Sequence, residues 1–149
     1  MKRRTKAQRF QDYYSAFHDI VSGQPVKRKR AKDGSVPHHP VVPCPDLPER
    51  EVLAQVLRWL KVHHIFHDRH DCGAGDFGHG FASYGIKNAG DIIGILPGGR
   101  HLEIEVKRGK GGRLSKGQQD RARDVGLAGG LYIVVSGIPE LEYYLGNIK

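Results

Sequence analysis

The sequence predicts an α/β domain, a mixed β-sheet flanked by helices, carried behind a basic N-terminal extension. Three observations lead there. Residues 89–107 read as a β-hairpin, with an apolar run (Ile92, Ile93, Ile95, Leu96), a turn at Pro97-Gly98-Gly99-Arg100, and a second strand alternating Leu102, Ile104 and Val106 with polar residues. A stretch of helical period, residues 48–62, precedes the hairpin. A further helix from Ser115 leads into the apolar run Leu131–Val135, which is the pattern of a strand returning parallel through a helical crossover.

The 149 residues leave room for one domain with a real core, residues 48–149, behind an extension of residues 1–47. Charge separates the two. Ten Lys and Arg stand against four Asp between residues 1 and 48, which accounts for most of the net charge of +8. A basic block of this kind predicts a polyanionic partner. Nucleic acid fits better than a lipid surface, because no amphipathic helix with a bulky apolar face accompanies the basic runs. Two cysteines, Cys44 and Cys72, are too few for a disulfide scaffold and predict reduced thiols. No apolar run has the length of a signal peptide or a membrane span, so a soluble, cytoplasmic protein is expected.

Within the extension, Phe10, Tyr13, Tyr14, Phe17 and Ile20 recur at helical spacing over residues 6–22, and Gly23-Gln24-Pro25 ends that segment. Lys27 to Pro48, basic and proline-rich, reads as a linker or arm. The helix over 48–62 has Asp46 as a candidate N-cap and a stripe of Leu53, Val56, Leu57 and Leu60. At 100° per residue Glu49 shares the azimuth of Val56 and Leu60 while Glu51 faces away, so Glu49 is the inward carboxylate of the pair. Ile65-Phe66-His67 reads as a first strand, feeding a mobile glycine-rich loop. His63, His64, His67, His70, Cys72 and His79 fall in or near it, but their spacing matches no zinc module.

The hairpin's second strand has two faces. Leu102, Ile104 and Val106 point to the core; Glu103, Glu105 and Lys107 line the other side. Were Leu96 paired with His101, Asp91 would point away from Glu105. A slip of one residue, through a bulge at Gly98-Gly99 or a loop of odd length, sets Asp91 beside Glu105 and Lys107, and that register is the one expected. Two carboxylates and a lysine so placed suit a divalent cation and a polarised water.

Beyond the hairpin, Arg108 to Arg113 is a basic, glycine-rich connector whose backbone can approach phosphates. Ser115-x-x-Gln118 has capping-box form. The helix it starts is expected to run to about Gly126, and Pro139 to Leu145 closes the chain as a short helix packing Leu141, Tyr144 and Leu145 inward.

Asp91 followed by Glu105-Val106-Lys107 after a hairpin resembles the Asp…Glu-x-Lys core of the PD-(D/E)XK nucleases. Gly90-Asp91-Ile92-Ile93-Gly94, Pro97-Gly98-Gly99-Arg100, Ile104-Glu105-Val106-Lys107 and Gly112-Arg113-Leu114-Ser115-Lys116-Gly117-Gln118 are similar to the virus-type replication-repair branch, the VRR-NUC domain. The likeness spans roughly residues 48–136. One departure is Gly90, where the family often has proline. The resemblance implies a restriction-endonuclease-like core and a metal-dependent DNA endonuclease, structure-specific for Holliday junctions or flaps, serving replication, recombination or repair. It implies Mg²⁺ or Mn²⁺ on Asp91, Glu105 and the Val106 carbonyl, with Glu49, Lys107 and Gln118 completing the catalytic set. Gln118 thus has two readings, a helix cap and a catalytic partner of Lys107. Arg69 and His70, at the end of the first strand, and Arg108, Lys110, Arg113 and Lys116 in and after the connector are the candidates for contact with duplex or branched DNA. Small stand-alone members resemble junction resolvases, which work as homodimers.

Two readings from other classes stand beside this one. A non-catalytic nucleic-acid-binding protein would share the basic arm, but gains nothing from carboxylates aimed into its positive groove. A zinc-binding regulatory module built on the histidines would carry stoichiometric metal. The chain has no phosphate loop of the nucleotide-hydrolase type, since Gly109-Lys110-Gly111-Gly112 lacks the spacing.

Overall fold

The computed structural model describes Thr5 and residues 33–148 other than Phe77 and His79, with the backbone alone at Asp76. The helix expected over residues 6–22 lies outside the described residues. The chain divides into two units between Ala31 and Lys32, and every element named here belongs to the second.

In chain order the elements are β1 (Val36–Pro37), α1 (Glu49–Val62), β2 (Phe66–Arg69), β3 (Gly73–Asp76), β4 (Phe81–Tyr84), β5 (Ile92–Ile95), β6 (His101–Val106), β7 (Arg113–Leu114), α2 (Lys116–Leu127), β8 (Leu131–Val135) and α3 (Ile138–Leu145). The main sheet has the order β2-β5-β6-β8; β2, β5 and β6 are antiparallel in sequence, and β8 runs parallel to β6. It is a mixed sheet because β5 and β6 form a hairpin while β6 and β8 are joined by a helical crossover.

One hydrophobic core forms against the sheet. Val52, Val56 and Leu60 of α1, Ile92, Leu102, Ile104, Val106 and Val135 of the strands, and Leu141 of α3 are fully buried in it. The i, i+4, i+8 spacing of the α1 residues is one face of a helix. Asp46 does not cap α1. Pro48 occupies the N-cap, without a side-chain hydrogen bond, and Glu49 and Glu51 in the first turn and Lys61 in the last complement the helix dipole. At the other end, His64 takes a left-handed conformation (φ 54°), and the N–H groups of His64 and Ile65 donate to Lys61 and Leu60 carbonyls at 3.2 and 3.0 Å. This is a Schellman stop, so His64 serves to end the helix.

Two expectations about loops are corrected. The glycine-rich stretch after β2 is a second hairpin, β3 paired with β4 from Gly73↔Tyr84 to Asp76↔Phe81. The segment before α1 is a strap bound to the domain: β1 pairs with β7, the His38 N–H donates to the Gly112 carbonyl at 2.9 Å, and Gly109 N–H to Leu47 at 3.0 Å. Its low apolar content suggested a linker; backbone hydrogen bonds hold it instead.

The strap also engages Glu140, a fully buried carboxylate on α3. Ser136 N–H and Val41 N–H donate to it at 2.8 and 3.0 Å, and His38 Nε2 lies 3.2 Å away. Burial raises its pKa, and His38 with the two N–H donors more than offsets that, so the net shift is downward. A depressed carboxyl contributes stability that is present above its unfolded pKa and lost as pH falls through its folded one. Glu140→Gln is expected to lower stability at pH 7 by about 1–3 kcal/mol and to flatten the acid limb of a melting-temperature profile below about pH 4.5. An unchanged acid limb would rule this out.

Among the described residues no helix is long and apolar enough to cross a membrane. Cys44 and Cys72 are free thiols, half-buried and exposed respectively.

Candidate active site

The site is fixed by the register of one hairpin. Ile95 pairs with His101, Ile93 with Glu103 and Ile92 with Ile104, so by the same register Asp91 stands opposite Glu105. The slip comes from a loop of odd length. Leu96 N–H donates to the Arg100 carbonyl at 2.8 Å and Gly99 N–H to Leu96 at 3.0 Å, leaving Pro97, Gly98 and Gly99 as three loop residues. Gly98 and Gly99 both have φ near +85°, which residues with a Cβ rarely adopt.

Asp91 Oδ2 accepts the Val106 N–H at 2.7 Å, tying the first carboxylate to the strand that carries the second. Glu105 is 3% exposed. Its Oε1 accepts from Lys107 Nζ and Gln118 Nε2, both at 2.5 Å, and its Oε2 accepts from Tyr132 Oη at 3.3 Å. Burial first, and then the Asp91 charge, push Glu105 up to about 7 despite the opposing Lys107 and Tyr132. Burial and the neighbouring carboxylates Glu105 and Glu103 raise the Tyr132 hydroxyl as well, so it remains a donor. Lys107 is itself buried, and Gly112 packs on its stem, where a Cβ would come within 2.7 Å of Lys107 Cβ.

Gln118 forms the helix cap and, in the same geometry, reaches the carboxylate of Glu105. Its Oε1 accepts Ser115 N–H at 2.9 Å while its own N–H donates to Ser115 Oγ at 3.1 Å, closing the capping box. The amide nitrogen is left to reach Glu105. The cap fixes the first turn of α2, and with it the position of the amide.

Glu103 lies on the same strand face, fully buried, and is held by three residues. Gly90 N–H donates at 3.0 Å, His101 Nε2 lies 2.8 Å away, and Arg121 of α2 donates through Nε and Nη2, the closest contact being 2.5 Å. Burial opposes its ionisation, but Arg121, His101 and Gly90 together leave the carboxyl below its usual range. The brace accounts for Gly90. A Cβ there would meet the Ile104 carbonyl oxygen at 2.7 Å, and a proline would have no N–H for Glu103. The residue before Asp91 is thus set by the backbone of β6.

Other expected site residues fall elsewhere. Glu49 begins α1 beyond the buried part of its stripe and is exposed, a correction to its inward reading. It lines an open cleft of about 400 Å³ with Asp46, Leu47, Pro48 and Arg108, the residue after Lys107. Arg113 clamps the strap, donating to Ser35 Oγ at 3.0 Å and Ser35 O at 2.8 Å, rather than offering itself to a phosphate. Arg69 pairs with Asp71 at 2.9 Å, and His70 Nε2 accepts Ile86 N–H at 2.9 Å, closing the base of the β3–β4 hairpin. Lys116 pairs with Asp120 on α2. Arg108 and Lys110 are exposed. His63 stacks on Trp59, and His67 Nδ1 lies 2.7 Å from the Ile65 carbonyl oxygen.

No family model, curated protein or solved structure matches this chain. The chemistry of the site therefore rests on its own residues. Among the described residues no three His, Cys, Asp or Glu side chains converge as a metal cluster. The donors that do converge are two carboxylates, a lysine and an amide, all on or beside one strand end.

Proposed function

We propose that the protein is a metal-dependent DNA endonuclease of the PD-(D/E)XK type, with a VRR-NUC-like, restriction-endonuclease-like core. The observation that carries this reading is the pairing that sets Asp91 opposite Glu105 while Lys107 Nζ lies 2.5 Å from Glu105 Oε1. The order helix, three antiparallel strands, helix, parallel strand agrees with it.

The donor set suits a hard cation. Two adjoining carboxylates, one raised to about 7 by burial and the other's charge, gain from a cation between them. Asp91, Glu105 and the Val106 carbonyl would hold Mg²⁺ or Mn²⁺, with water and substrate phosphate as further oxygen ligands. When bound, such an ion supplies an acidified water and charge neutralisation at the phosphate. Lys107 holds the attacking water and stabilises charge developing on the phosphate; Gln118 and Tyr132 fix the Glu105 carboxylate. Arg108 and Lys110 face solvent nearby and suit the DNA backbone. The expected substrates are branched, a Holliday junction or a flap.

One feature favours a second reading, a non-catalytic DNA-binding protein: Glu105 already accepts three hydrogen bonds, as a purely structural carboxylate would. Cleavage of labelled duplex, flap and four-way-junction DNA with Mg²⁺, Mn²⁺ or EDTA separates the two. Cutting that needs metal and falls at least about 100-fold in Asp91→Ala supports the nuclease. DNA binding without cutting of any substrate would replace it with the binding protein.

A further inference from the structure

The connector from Arg108 to Arg113 supports itself poorly. Three of its six residues are glycine, and Gly112 alone among them is buried, so no side chain of the segment enters the core. Such a segment has much conformational freedom to lose on folding. Lys107 nevertheless depends on it. Gly112 walls the lysine's stem, where a Cβ would come within 2.7 Å of Lys107 Cβ, and Lys107 Nζ lies 2.5 Å from Glu105 Oε1. The lysine stem is a flexible four-carbon chain, and its ammonium stays at one oxygen only while its walls stay in place.

The strap before α1 supplies the support, meeting the connector at both ends. At the start, Gly109 N–H donates to the Leu47 carbonyl at 3.0 Å, and a Cβ on Gly109 would collide with the Pro45 carbonyl. At the far end, His38 N–H donates to the Gly112 carbonyl at 2.9 Å, and Pro37 and Val36 pair with Arg113 and Leu114.

His38 is the link to the rest of the domain. Its side chain is 10% exposed and sets Nε2 3.2 Å from Glu140 Oε2. Glu140 is fully buried, on a helix whose Leu141 and Leu145 belong to the core, and it also accepts Val41 N–H at 3.0 Å. Two anchors on one carboxylate, three residues apart in the strap, leave it little freedom to slide. One residue thus joins a fixed group of α3, through its side chain, to the wall of Lys107, through its backbone.

We propose that His38 is a positioning residue of the site: held on Glu140, it fixes Gly112 and so keeps the Lys107 ammonium at Glu105. Its effect on cleavage rests on the endonuclease reading; its effect on Lys107 does not. The test uses the full chain with two readouts, the acetylation rate of Lys107 relative to exposed Lys110 by mass spectrometry, and single-turnover cleavage at saturating DNA with Mg²⁺. His38→Ala is expected to raise Lys107 acetylation toward that of Lys110 and to lower the cleavage rate about tenfold. His38→Gln, whose amide N–H can still donate to Glu140, should stay close to native in both. Val56→Ala, a cavity in the core, should lower the melting temperature yet move neither readout at a temperature where both variants are folded. If His38→Ala and Val56→Ala behave alike, His38 serves stability alone and the proposal fails. It also fails if cleavage falls while Lys107 stays protected. Should His38→Ala not fold, Gly112→Ala decides, since it disturbs the wall and leaves the Glu140 contacts intact: native acetylation and cleavage there would overturn the proposal. A native protein that cuts no DNA, but whose Lys107 is unmasked by His38→Ala, would fail the nuclease reading and leave the positioning result standing.

Discussion

Lys107→Ala is expected to lower the single-turnover cleavage rate by roughly 10²–10³-fold while leaving DNA affinity close to native. The lysine is buried, its stem walled by Gly112 and its Nζ directed at Glu105 Oε1. It would therefore contribute little to a cationic surface for the proposed DNA substrate, and its charge is delivered at one point beside the carboxylate pair. A lost interaction that exists only when negative charge develops on the phosphate lowers kcat and spares binding. Lys107→Arg is the informative companion. A guanidinium keeps the charge but is planar and forked, so it cannot reproduce a compact ammonium against Oε1 in the same space. A partial loss with Arg and a near-complete loss with Ala would agree with a positioned charge. Near-native cleavage by Lys107→Ala would remove the mechanism.

Much of this arrangement was legible because β-structure has a period of two. Once Glu103, Glu105 and Lys107 alternate with Leu102, Ile104 and Val106, the polar face follows, and the buried face demands the register that Pro97-Gly98-Gly99 allows. Ser115-x-x-Gln118 was equally readable, because a capping box is local. What failed were the features set by distant partners. The wheel placed Glu49 correctly on the azimuth of Val56, but azimuth says nothing of depth, and the core ends one turn inside it. Arg113 looked like a phosphate ligand because nothing in its surroundings announces Ser35, 78 residues earlier. Arg121 and Tyr132 escaped notice for the same reason. Each reaches a carboxylate on β6 from another element, and only the placement of α2 and β8 brings them there. The histidines over 63–70 suggested metal by composition, whereas His64 ends a helix, His63 stacks on Trp59 and His70 closes a hairpin.

The brace on Glu103 carries the largest expected effect on stability. Glu103→Ala is expected to destabilise the protein by about 3 kcal/mol, which lowers the melting temperature by roughly 10 °C or more. The carboxylate is fully buried and collects donors from the residue before Asp91, from His101 and from α2. Removing it leaves Gly90 N–H, itself buried, without its acceptor, and leaves Arg121 without the partner that sets α2 against the sheet. Arg121 is 30% exposed along its side chain, so its charge recovers some hydration and the loss stays below that of a fully enclosed pair. Replacing both partners, Glu103→Leu with Arg121→Leu, should therefore recover part of the stability that Glu103→Ala loses, since no buried charge is then left unmatched. Activity should not follow stability back. Arg121 stands one turn from Gln118 on α2, and Gly90 adjoins Asp91, so the polar brace orients both sides of the carboxylate pair in a way two leucines cannot. A double variant that regains stability and full cleavage together would show that the brace only fills space.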